Sequence, residues 1–105
     1  MTVQATGDCY QVAYDVVTEE DQGLLLCHGT ATGQGPIEGI RFGHAWVENP
    51  EAGTALDFSN DSNVCMARER YYEIGQIDED DVVRYSFEEA LVNALHYRHF
   101  GPWDE

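Results

Sequence analysis

Apolar residues near the start of the chain recur with helical spacing. Cys9, Val12, Ala13, Val16 and Val17 stand at i, i+3, i+4, i+7 and i+8, one stripe on one helix face. Asp8 followed by Gln11 three positions later reads as an N-cap and its partner. Gly7 gives a sharp turn ahead of them, and the acidic turn at 19–23 predicts that the helix fades near Thr18. Leu24-Leu25-Leu26-Cys27-His28 is too short an apolar run for a helix and predicts a buried strand. Residues 29–39 hold four glycines and a proline, which predicts a loop bordering the strand that follows.

Alternation then takes over. Ile40, Phe42, His44 and Trp46 fall on one face of a strand, with Gly43 on the other. Asn49-Pro50-Glu51-Ala52 joins this strand to Ala55-Leu56-Asp57-Phe58, so the pair reads as a hairpin. A polar turn occupies 59–63, and 64–70 fits either a short helix or an irregular segment. Residues 71–77 and 82–85 have strand composition and flank the acidic turn 78–81. Ser86-Phe87-Glu88-Glu89 is a capping box. It opens a helix with the stripe Phe87, Ala90, Leu91, Ala94 and Leu95, which ends near Arg98, before Gly101-Pro102. The predicted class is α+β: an N-terminal helix carrying Cys9 on a mainly antiparallel sheet of about five strands, with a C-terminal helix, in a single domain spanning 1–105.

Composition narrows the picture. With 105 residues, 43% hydrophobic and 24% charged, the chain is long enough for a modest core and too apolar to be disordered. No run approaches the length of a membrane span, and the N-terminus lacks the basic and apolar regions of a signal peptide, so a cytoplasmic location is expected. Twenty acidic against five basic residues give a formal net charge of −15. That field repels nucleic acid and anionic membrane and favours a cationic partner. Cys9, Cys27 and Cys65 are an odd number without a CxxC pair, which suits thiols rather than a disulfide framework. His96 and His99 have no metal-ligand spacing with the cysteines, and the acidic run 78–81 lacks the alternation and glycine of a calcium loop; no metal or cofactor is expected.

The candidate chemistry lies at the hairpin. If Glu48 faces Gly53, then Trp46 faces Ala55 and His44 faces Asp57. Directly opposed residues share a face with Cβ atoms about 5 Å apart, so imidazole and carboxylate come within hydrogen-bonding reach. A slip of one residue would put Asp57 on the other side of the sheet. Cys9 in the first turn of a helix gains thiolate character from the unpaired N–H groups there. Together these suggest Cys9 as nucleophile, His44 as base and later acid, and Asp57 as the group that orients the ring. The Cys9 backbone N–H and Gln4, five residues upstream, are candidates for the oxyanion site. Trp46 is a candidate substrate-binding surface, although a core role fits it better.

Gly7-Asp8-Cys9 with Ala13 four residues on, then His44-Ala45-Trp46-Val47-Glu48, then Leu56-Asp57-Phe58-Ser59, resembles the transglutaminase-like branch of the papain-like cysteine enzymes. The NlpC/P60-type amidases, with the same Cys-then-His order, are a close neighbour. The resemblance spans roughly residues 4 to 60. It implies a thiol enzyme acting on amide or ester bonds, with Cys9 matching the nucleophile, His44 the base and Asp57 the orienting acid. The resulting expectation is a cysteine-dependent hydrolase (peptidase, amidase or deamidase) working through a thioester on a basic peptide or protein. The alternatives are an acyltransferase of the same fold and a catalytically inactive acidic domain that captures a basic partner. Sequence alone leaves the oligomeric state open.

Overall fold

In the computed structural model the described residues are 6–20, 23–33, 39–57, 64–101 and 103. Helix α1 spans Thr6–Glu20, followed by strands β1 (Leu25–Thr32), β2 (Arg41–Asn49), β3 (Thr54–Asp57) and β4 (Val64–Ala67). Helix α2 (Arg68–Gly75), a 3-10 turn (Glu79–Asp81), strand β5 (Val83–Tyr85) and helix α3 (Phe87–Tyr97) complete the order. The strands form one sheet in the order β4-β3-β2-β1-β5, antiparallel at every pairing. The α+β class, the helix bearing Cys9, the five strands and the C-terminal helix agree with expectation.

The two faces of the sheet bury different sets. Leu26, Ala45 and Val47 pack beneath α1 through Cys9, Ala13 and Val17, with Ala90 of α3 and Trp103 completing that core. Cys27, Ala31, Trp46 and Ala55 pack beneath Tyr72 of α2 and Ile77 on the opposite face. The side-chain alternation of a strand accounts for this division, since Cys27 pairs with Trp46 and its neighbour His28 with Ala45. The same alternation keeps the adjacent Cys27 and His28 side chains apart.

Four elements differ from expectation. The first helix begins at Thr6 and runs to Glu20, so Asp8 lies inside its first turn rather than at its cap. Strand β1 continues through Gly29 to Thr32, because pairing to residues 41–44 of β2 overrides the glycine there. Gly29 is also needed: a Cβ at that position would lie 2.9 Å from the Trp46 ring. Segment 64–67 is a strand, paired with β3.

Residues 68–75 are helical, although Tyr71, Tyr72 and Ile74 favour strands. In a strand the two adjacent tyrosines would point to opposite faces; on a helix both turn toward the sheet. Tertiary contacts decide the matter.

The hairpin turn is built from its own residues. Asn49 Oδ1 accepts hydrogen bonds from the backbone of Glu51 (3.1 Å) and Ala52 (3.2 Å). Gly53 sits at φ +70°, a backbone state that favours glycine, so it belongs to the turn and not to the strand. The register moves accordingly: Glu48 pairs with Ala55 and Val47 with Leu56, two residues away from the expected Glu48–Gly53 pairing. A shift of two preserves the face. Continued by one pair, the observed register sets Trp46 opposite Asp57 and His44 on the diagonal.

After α3, Arg98 takes a left-handed conformation at φ 65° and turns the chain back over β1. Gly101, at φ +124°, lies against His28 and Tyr10, and Trp103 enters the core, its Nε1 donating to His99 O at 2.7 Å. Among the described residues no helix is long and apolar enough to cross a membrane.

Candidate active site

His44 is buried on β2, on the face covered by α2. Its Nε2 lies 2.9 Å from Asp57 Oδ2, so the imidazole–carboxylate pair forms by a diagonal rather than a direct opposition. Trp46 stacks beside the ring, with centroids 5.9 Å apart and planes at 26°. Burial works against charge on His44. The hydrogen bond to Asp57, the contact with Cys9 and the charge of Asp57 outweigh it and hold the imidazole pKa up at about 9.

Cys9 approaches the same ring from α1. It is the fourth residue of the helix, within the first turn. Nδ1 of His44 is buried and, among the described residues, has no hydrogen-bond partner. The thiol helps hold the imidazole in its charged form. Cys9 is 1% exposed. The crevice it shares with Ala13, Ala45, Trp46, Leu56 and Asp57 is too narrow to admit a water molecule.

The structure thus brings Cys9, His44 and Asp57 to one place. Trp46, at 1% exposure, is part of the core beneath the site and faces the His44 ring instead of solvent. Its Nε1 donates to Glu48 Oε2 at 3.0 Å. Glu48 is itself held by Arg84 Nε at 3.0 Å and by the Tyr72 hydroxyl, and these donors keep its carboxyl below the usual range despite burial. Gln4 lies outside the described residues, as do 34–38 of the glycine-rich loop and 58–63 after the hairpin.

One residue of the site was not anticipated. The Tyr71 hydroxyl donates to Asp57 Oδ2 at 2.6 Å and lies 3.1 Å from His44 Nε2. Reading 71–77 as a strand hid it, since only a helix carries Tyr71 and Tyr72 toward the same sheet. The paired tyrosines, each without an apolar reason to be adjacent, were the available signal.

The remaining candidates stand apart. Cys27 is fully buried on β1, where burial and Glu48 push its thiol pKa far up, and Cys65 is exposed on β4; no disulfide joins the three cysteines. Among the described residues no group of three His, Cys, Asp or Glu side chains converges as a metal site. What the arrangement offers chemically is a thiol at a helix start, a protonatable ring beside it and a carboxylate behind that ring. Compared with protein-family models, with curated proteins and with solved structures, the chain matches none of them.

Proposed function

We propose that the protein is a cysteine-dependent hydrolase of transglutaminase-like type, acting on amide bonds of a basic peptide or protein. The observation that carries this reading is the 2.9 Å His44–Asp57 contact with Cys9 beside the same ring. An imidazole that stays protonated to about pH 9 stabilises a neighbouring thiolate. The Cys9 thiolate attacks the carbonyl carbon, and the oxyanion is met by the Cys9 backbone N–H, with Gln4 as the second expected donor. His44 then gives its proton to the leaving amine, which departs as the thioester forms. In the second half, His44 takes a proton from water as that water attacks the thioester, releasing the acid and restoring the thiolate beside the imidazolium. Asp57 holds the ring throughout.

The burial of Cys9 favours a second reading, a catalytically idle acidic domain that captures a basic partner through its charge. Alkylation separates the two. With iodoacetamide and peptide mapping at neutral pH, Cys9 is expected to be alkylated faster than the exposed Cys65. Cys9 that stays unmodified in the folded protein, or reacts no faster than Cys65, sinks the hydrolase. Replacing Cys9→Ala should then abolish hydrolysis while leaving charge-driven binding intact.

A further inference from the structure

Three polar atoms close a triangle behind the His44 ring. Asp57 Oδ2 lies 2.9 Å from His44 Nε2 and 2.6 Å from the Tyr71 hydroxyl, and that hydroxyl lies 3.1 Å from Nε2. Counting hydrogens fixes the direction of each bond. An ionised carboxylate has none to give, and the phenol has one. Burial, and then the neighbouring Asp57, keep the Tyr71 phenol protonated. Its hydrogen goes to the nearer atom, the Asp57 oxygen. Both groups facing Nε2 then present lone pairs, so the ring carries its hydrogen there and leaves Nδ1 to exchange protons on the other side.

Sharing one oxygen also sets the strength of the pair. A carboxylate oxygen that already accepts from a phenol has part of its charge answered, and its pull on an imidazolium is weaker for it. We propose that Tyr71 is a positioning residue of this site: by donating to the oxygen that His44 uses, it keeps that oxygen in line with Nε2 and moderates the carboxylate's hold on the imidazolium. The benefit rests on the hydrolase reading, in which His44 must release a proton to a leaving amine. Tyr71 touches neither thiol nor substrate, and its effect passes through Asp57 and His44.

The test needs no substrate. In the full chain with isotope-labelled histidine, NMR titration follows His44 in the parent and in Tyr71→Phe, which keeps the aromatic ring that packs 5.6 Å from Trp46. The His44 midpoint is expected to rise by about 0.5 to 1 unit, because the carboxylate turns more of its charge on the ring. In an Asp57→Asn background the same substitution should move the midpoint far less. A midpoint that stays put or falls toward the ordinary histidine value in Tyr71→Phe overturns the proposal, as does an equal rise in both backgrounds. Should Tyr71→Phe not fold, 3-fluorotyrosine at position 71 keeps the ring and makes the phenol a stronger donor. A lower His44 midpoint with the fluorinated ring supports the triangle, and an unchanged or higher one overturns it. Inert Cys9 alongside the expected His44 shift removes the hydrolase and keeps the triangle; reactive Cys9 with an unmoved His44 does the reverse.

Discussion

Two buried histidines sit on opposite faces of the sheet and respond to pH in opposite senses. His28 is enclosed by Tyr10, Tyr85 and Trp103, its Nε2 buried without a hydrogen-bond partner, and burial pulls its pKa down to about 4. Its contribution to stability is complete above the unfolded value of 6.5 and is lost as pH falls from there toward 4. His44 is shifted the other way, to about 9, so its contribution is complete below 6.5 and disappears as pH rises through 9. Each limb amounts to about 3 kcal/mol at most, taking roughly 1.4 kcal/mol per unit. Urea unfolding across the pH range is expected to show maximum stability near neutral pH. His44→Gln should flatten the alkaline limb and His28→Phe the acid one, and a limb that survives its substitution contradicts the assignment. The meeting of Cys9, His44 and Asp57 was legible from residue types and chain order. Tyr71 was not, because the adjacent tyrosines point to a shared face only once 68–75 is known to be helical.

At the scale of elements, one buried carboxylate ties three of them together. Glu48 of β2 receives Trp46 Nε1–H from its own strand, the Tyr72 hydroxyl from α2 and Arg84 Nε from β5. Arg84 also donates to the Tyr72 hydroxyl at 2.9 Å, so the donors brace one another. Removing the guanidinium leaves a buried anion short of a partner. Arg84→Ala is expected to lower unfolding free energy by about 2 to 3 kcal/mol, somewhat below the range for a fully buried pair because the Arg84 side chain is still 27% exposed. Chemical denaturation measures this, and a loss under about 1 kcal/mol would make the contact incidental. Helices α1 and α3 and strands β1, β2, β3 and β5 were readable from periodicity and capping. The expected strand at 71–77 was overridden by packing, and β4 at 64–67, a four-residue edge element, is too short for its pattern to be recognised. The hairpin was right in parity and off by two in register, since the positive φ of Gly53 is a property of the turn that a strand-based alignment ignores.

For the molecule as a whole, charge governs behaviour outside the core. A net charge of −15 on 105 residues repels itself in the compact state. Raising salt from about 10 mM to about 500 mM shortens the screening length severalfold and should raise the thermal midpoint while weakening any cationic partner's binding. A midpoint insensitive to salt would mean that the acids are locally neutralised. The sheet hides both the His44–Asp57 pair and its ionic brace beneath the same short helix. Adjacent residues of α2 serve them separately: Tyr71 reaches Asp57 and Tyr72 reaches Glu48. Insertion or deletion of a single residue ahead of this helix would rotate it by about 100° and unseat both hydroxyls in one step. Chemistry and architecture are therefore keyed to one rotation, and mutational drift in the approach to α2 cannot spoil one while sparing the other.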